Sequence, residues 1–85
     1  MDWDDDAKDL FDQIVGEIPM AFRNMAKGPM QASIDGVCGD RGGDAINVDD
    51  VIRGNIKGTP AFQKANIRPM YEKLGIDLAP YEELL

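Results

Sequence analysis

The chain has 85 residues, of which 44% are apolar and 29% charged, and its formal net charge is −7. This size predicts one small domain with a thin core, and the acidic balance argues against a nucleic-acid binder, which needs clustered lysine and arginine. One cysteine rules out an internal disulfide framework, and the lack of histidine removes the commonest general base and metal ligand. The short apolar runs and acidic start predict neither a membrane span nor a signal peptide, so we expect a cytoplasmic protein.

The first half of the chain predicts two amphipathic helices. Apolar residues at three- and four-residue steps, behind a run of aspartates, indicate a first helix that ends before Pro19. The same spacing predicts a second helix over residues 19–38. We expect a kink or a real break at Gly28-Pro29, because a proline removes one backbone donor and crowds the preceding turn.

The second half predicts shorter helices between glycine and proline turns. Ala45-Ile46 is long enough for at most a minimal strand, and Asn47 with Asp50 forms an acidic variant of the capping box that opens a third helix. That helix should stop by Gly58. Prolines at helix N-termini and glycines at helix C-termini predict three further short helices, at about residues 59–65, 70–74 and 80–85. The predicted fold is all-α, a single domain over residues 1–85 with four to five short helices.

The charges lie in blocks along the sequence. Residues 1–17 hold seven acids and one lysine, whereas residues 51–75 hold five basic residues and one acid. One interpretation is that blocks of opposite sign face each other within the fold, with acids near helix starts. The other is an acidic N-terminal face offered to a basic partner. Both stay open at this point.

Groups that could carry chemistry are scarce. Cys38 has no histidine to activate it, and it is either a packed small side chain or a thiol whose pKa Arg41 lowers. Residues 39–50 resemble a calcium loop, but no register places acidic ligands and the glycine correctly, which leaves these carboxylates as turn and cap residues. Four methionines either line an adaptable surface or pack in the core: Met20, Met25, Met30 and Met70. We therefore predict no catalysis by this chain alone, no cofactor and no metal site.

A resemblance to a known family rests on short motifs. Trp3 and Ala7 open the first helix, Ile18-Pro19-Met20-Ala21-Phe22-Arg23 follows, and a long helix leads to Ile46-Asn47-Val48-Asp49-Asp50-Val51. This pattern resembles the C-terminal domain of the B subunit of light-independent protochlorophyllide reductase. The resemblance covers residues 3–54, and residues 55–85 are predicted to be a helical C-terminal extension.

The resemblance implies an accessory role in chlorophyll biosynthesis, since the iron–sulfur ligands of that oxidoreductase lie in other parts of its complex. The domain would dock to a redox or reductase subunit, or cover a flat tetrapyrrole with apolar side chains. The candidate surface is Trp3, Phe22, Arg23 and Met30.

Three of these four side chains also have a structural interpretation. Phe22 would be buried at the crossing of the first two helices, Arg23 would cap the end of the first helix or meet a carboxylate of a ligand or partner, and Trp3 would staple the first helix to the core or stack on a ligand. The alternative function is a protein-interaction module with histone-like helix–strand–helix packing that pairs with a second copy or a partner.

Overall fold

A computed structural model of the chain describes residues 2–85 and confirms the all-α class. Within this range lie four α-helices: α1 (Asp5–Glu17), α2 (Met20–Asp40), α3 (Val48–Gly58) and α4 (Ile67–Lys73). Two 3₁₀ helices span Ala61–Asn66 and Ala79–Leu84, and two short strands are β1 (Asp2–Trp3) and β2 (Ala45–Ile46). No helix among residues 2–85 is long and apolar enough to cross a membrane.

Helix α1 follows its apolar periodicity. Its first turn carries Asp5 and Asp6, whose negative charges interact favourably with the positive end of the helix dipole. The chain becomes extended at Ile18, as expected for a residue before a proline. One side of the helix is buried in the core, formed by Ala7, Leu10, Phe11 and Ile14.

Helix α2 runs without interruption through Pro29, so the predicted break at Gly28-Pro29 is wrong. The reason is the position of the proline, because Gly28 and Pro29 both lie on the exposed side of the helix. There the ring displaces no core side chain, and the missing N–H leaves only the Met25 carbonyl without its helical donor. The core contacts of α2 come from its second half, at Met30, Ile34 and Cys38.

The contact between α2 and α3 is unusually close. Gly54 lies against the backbone of Ile34, and a Cβ at position 54 would be 2.5 Å from the Ile34 Cα. The Ser33 hydroxyl donates to the Gly54 carbonyl at 2.8 Å, which ties the two helices together at the same point. This approach places Val51 and Ile56 of α3 in the core.

Strand β1 was not predicted, and it forms a two-residue parallel bridge with β2. Asp2 pairs with Ala45 and Trp3 with Ile46, and the Asp4 N–H donates to the Ile46 carbonyl at 2.8 Å. Two residues cannot show a period-two pattern, which explains why the sequence gives no signal for β1. The bridge fixes Trp3 beside the N-terminus of α1.

The C-terminal third of the chain packs on α3 through side-chain hydrogen bonds. Asn55 Nδ2 donates to the buried Tyr71 hydroxyl at 3.1 Å, and Tyr81 donates to Asp49 Oδ1 at 2.8 Å. Helix α4 ends before Gly75, which has a φ of 76°, as the predicted glycine stop requires.

The α2–α3 contact gives a first test of the fold. We expect Gly54→Ala to lower the free energy of unfolding by about 2 kcal/mol or more, because the new methyl group must push the Ile34 backbone away. Urea unfolding followed by circular dichroism measures this change.

Gly36→Ala is the matched control, since position 36 lies in α2 with nothing within 4 Å of the new Cβ. It should raise the stability by about 0.5–1 kcal/mol, because alanine is the better helix former. Equal effects of the two substitutions would contradict a tight α2–α3 contact.

Candidate functional site

Phe22 lies on the surface, so its predicted burial at the crossing of α1 and α2 is wrong. Its exposed fraction is 54%, and those of its neighbours Met20 and Met25 are 79% and 68%. The first half of α2 extends beyond the elements that cover its second half, so apolar spacing there does not lead to burial. Phe22 and Met25 lie three residues apart and therefore face the same side of the helix, and we call these two residues the α2 apolar surface.

Arg23 caps the end of α1, one of the two roles the sequence allowed. Its Nε donates to the Ile18 carbonyl at 2.9 Å and its Nη2 to the Gly16 carbonyl at 3.0 Å. A cation at these carbonyls also meets the negative end of the helix dipole. The guanidinium therefore fixes the corner between α1 and the first turn of α2.

The other two predicted site residues belong wholly or partly to the core. Met30 is buried in the second half of α2 and faces away from the surface. Trp3 is half-buried, packs against the core, and its ring centroid lies 5.1 Å from that of Phe11 at a tilt of 46°. The structure thus does not bring Trp3, Phe22, Arg23 and Met30 together into one site.

Trp3 lines an open cleft of about 530 Å³, which we call the N-terminal cleft. Strand β1 and α1 form one wall with both aromatic rings, and α2 forms the other with Lys27 and Gln31. Lys8 and three carboxylates complete the lining: Asp2, Asp5 and Asp12. No sequence pattern predicted this cleft, because it depends on how β1 is placed beside α1.

The interpretation that charges of opposite sign pair within the fold holds for the basic segment. The basic segment is largely paired within the fold, through Arg53–Asp49, Arg68–Glu82 and Lys73–Glu17. Among residues 2–85, by contrast, no ion pair involves any of six exposed aspartates near the N-terminus. We call them the N-terminal acidic face: Asp2, Asp4, Asp5, Asp6, Asp9 and Asp12.

An ion pair between a buried carboxylate and a half-exposed guanidinium joins the end of α2 to the start of α3. Arg41 Nε and Nη2 each lie 2.7 Å from an oxygen of Asp50, whose side chain is completely buried. Asp50 also completes the predicted capping box, since it accepts from the Asn47 N–H and its own N–H donates to Asn47 Oδ1. The sequence predicted the cap but not the ion pair between Asp50 and Arg41. The Nη2 of Arg41 also donates to the Ala45 carbonyl at 2.8 Å.

Cys38 is a packed side chain rather than an activated thiol. It is completely buried beneath the Arg41–Asp50 pair, and its Sγ lies 3.5 Å from the Ala45 carbonyl oxygen. Burial and the nearby Asp50 carboxylate raise the pKa of the thiol, and this outweighs the opposing effect of Arg41. The arrangement keeps Cys38 in its neutral, poorly nucleophilic form.

A second polar cluster holds the C-terminal 3₁₀ helix on α3. Asp49 accepts from both Tyr81 and Arg53, and the Arg53 guanidinium lies 5.2 Å from the centre of the Tyr81 ring. Burial, reinforced by the bond to Asp49, raises the pKa of Tyr81 to about 12. Each group in this cluster is engaged in holding two elements together.

Comparison with known proteins gives one result. A family model described as a protein of unknown function (DUF2621) matches residues 1–85, the full length of the chain. No curated protein and no solved structure matches the chain significantly. Residues 2–85 contain no group of three or more cysteine, aspartate or glutamate side chains placed to hold a metal ion.

The Arg41–Asp50 ion pair predicts a pH-dependent stability. We expect Asp50→Asn to lower the free energy of unfolding at pH 7 by about 1–2 kcal/mol, because it removes the carboxylate that accepts two hydrogen bonds from Arg41 and weakens the α3 cap. The hydrogen bonds from Arg41 hold the pKa of Asp50 below its ordinary value of 3.8. The stabilisation is therefore complete above that pH and is lost as the pH falls below it.

Urea unfolding at a series of pH values measures the difference in stability between Asp50→Asn and the unmodified chain, which should stay constant between pH 7 and about pH 5 and narrow as the pH falls from about 4 to about 3. Asp35→Asn, at an exposed position of α2, should change the stability by less than about 0.5 kcal/mol. A difference that stays constant over this pH range would contradict the assignment.

Proposed function

The chain belongs to this family of unknown function (DUF2621), and we propose that it is a docking domain that binds a partner protein through the α2 apolar surface. The observation that carries the proposal is the exposure of Phe22 and Met25 on the same side of one well-formed helix, with Met20 exposed on another side at the start of that helix. Nearly all other large apolar side chains among residues 2–85 pack in or against the core, and Phe62 is the exception. Grouped exposed apolar side chains are typical of interaction sites.

The electrostatics of this part of α2 suit an apolar interface. No acidic residue occurs between Pro19 and Ile34, although the chain as a whole is acidic. Arg23 is already engaged by the carbonyl groups at the end of α1, so docking here does not require burial of an unpaired charge. The flexible side chain of Met25 beside Phe22 also forms a surface that can adapt to its partner.

The resemblance to the C-terminal domain of the protochlorophyllide reductase B subunit supports a choice of partner. We assign the partner as a subunit of a cytoplasmic reductase complex, to which this domain adds a binding surface and no electron carrier. Phe22 and Arg23 belong to the motif on which the resemblance rests. In this role Phe22 would contact the partner, while Arg23 would hold the helix corner in place.

The order helix α2, strand β2 and helix α3 supports the second candidate, a histone-like interaction module. In that case the occupant of the α2 apolar surface would be a second copy of the chain. Strand β2 already pairs with β1 of its own chain, so self-association would depend on the helices rather than on strand pairing.

Substitution of the α2 apolar surface tests the proposal. We expect the chain to bind purified light-independent protochlorophyllide reductase, and the double variant Phe22→Gln/Met25→Gln to bind at least about tenfold more weakly. Biolayer interferometry measures the affinities. Phe62→Gln is the matched control, since Phe62 is even more exposed than Phe22 but lies on a different element, so its substitution should leave binding unchanged.

Three outcomes would contradict the proposal. The first is no binding to the complex, and the second is binding that the α2 double variant leaves intact. The third is quenching of Trp3 fluorescence by free protochlorophyllide with no binding of the protein subunits, which would assign a pigment instead. Analytical ultracentrifugation separates the histone-like alternative, because that module would be a dimer that the same double variant converts to a monomer.

A further inference from the structure

The exposed side of α2 is apolar along the whole length of the helix. Six of its residues follow each other at steps of three or four, which places them within one narrow strip, and all six are exposed. We call them the outer strip of α2: Ala21, Met25, Gly28, Ala32, Gly36 and Gly39. Phe22 and Pro29 lie along one edge of this strip and are exposed as well. The α2 apolar surface is therefore the N-terminal part of a longer apolar face.

The fold itself does not require glycine or proline on this side of α2. A Cβ at any of the three glycines of the outer strip would meet nothing within 4 Å, and none of them has a positive φ. Glycine and proline both destabilise a helix interior, and Pro29 also leaves the Met25 carbonyl without its helical donor. On the inner side, the missing side chain of Gly54 lets Ile34 approach closely. The outer glycines leave the same kind of space where no element among residues 2–85 fills it.

We propose that a helix of the partner protein packs along the outer strip, antiparallel to α2. The inference rests on the proposed function and names the element through which the partner binds. Small side chains of that helix would lie against Phe22 and Met25, and its large apolar side chains would fill the space over the glycines in the second half of α2. Large side chains opposite small ones are how packed helices interlock.

The charges at the two ends of α2 set the orientation of the partner helix. The last turn of α2 has no basic residue, and Asp35 and Asp40 lie exposed near this negative end of the helix dipole. No ion pair among residues 2–85 involves either of them, and the guanidinium of Arg41 is engaged by Asp50. The first turn of α2, by contrast, has no acidic residue to meet its positive end. An antiparallel helix with a lysine or arginine near its N-terminus complements both ends.

A helix from another protein fits this strip better than a second copy of the chain. From Ala21 to Gly39 the strip is about 27 Å long, which a helix of about five turns covers without exposing its backbone. A second copy of α2 has no basic residue in its own outer strip. It would therefore leave Asp35 and Asp40 without the positive charge that this end of the strip lacks.

Substitution of the strip beyond Met25 tests the inference with the full chain and purified light-independent protochlorophyllide reductase. We expect Gly36→Ala to weaken binding several-fold and Gly36→Leu at least about tenfold, because both fill space that the partner helix uses. Gly36→Ala also favours the helix, so its loss of binding would not come from unfolding. Lys27→Leu is the matched control, since Lys27 is exposed about 200° around α2 from Met25, and it should leave the affinity measured by biolayer interferometry unchanged.

Removal of the two aspartates tests the charge of the partner helix. Asp35→Asn/Asp40→Asn should weaken binding about threefold and make the affinity less sensitive to salt, because the exposed ion pairs with the partner are lost. Asp9→Asn/Asp12→Asn, with the same change in net charge on α1, should leave both quantities unchanged. Equal effects of the two pairs would show a response to net charge only and would contradict the assigned basic residue.

Cross-linking determines the orientation of the partner helix. A photoreactive thiol label is attached to Ala21→Cys or to Gly39→Cys, at opposite ends of the outer strip. Cys38 is completely buried and does not compete for the label. We expect both labels to attach to one partner helix, the label at position 21 near its C-terminus and the label at position 39 near its N-terminus.

Three results would overturn the inference. Binding that tolerates Gly36→Leu but not Phe22→Gln/Met25→Gln would leave the docking proposal standing and refute a helix along the outer strip. Labels that attach in the reverse order, to no single helix or to a second copy of the chain would refute the assigned occupant. Absence of binding by the unmodified chain would refute both the docking proposal and this inference.

Discussion

The close contact between α2 and α3 is the constraint on which the other features depend. Gly54 allows the α3 backbone to reach Ile34, and the Ser33 hydroxyl and the Arg41–Asp50 ion pair fix the two helices at separate points along their length. These contacts use only the second half of α2. The first half is left to project from the core, which is why its apolar side chains face solvent.

The paired and unpaired charges also lie in different parts of the fold. Basic residues of the C-terminal half pair with carboxylates beside them: Arg53–Asp49 lies within α3, Arg68–Glu82 joins α4 to the C-terminal 3₁₀ helix, and Lys73–Glu17 joins α4 to α1. The N-terminal acidic face has no such neighbour among residues 2–85. One small domain therefore presents the α2 apolar surface and the N-terminal cleft on different sides of the same helix.

Local signals predicted most of the helices, whereas the sites depend on non-local contacts. The apolar side of α1, the Asn47–Asp50 cap and the Gly75 stop involve residues within a few positions of each other. The burial of Phe22 could not be predicted correctly, because periodicity shows which side of a helix is apolar but not whether another element covers it. Arg41 and Asp50 are separated by a turn and a strand, and no local rule pairs them.

The β1–β2 bridge has a consequence for the order of folding. It joins segments about 40 residues apart in sequence, so its formation pays a larger loop-closure entropy than the α2–α3 contact. We expect α2 and α3 to associate first and β1 to add last. The free energy needed to open the β1–β2 bridge should then be small compared with the free energy of unfolding of the whole domain. The wall of the cleft that contains Trp3 would then open more often than the core, and hydrogen exchange would be fastest there.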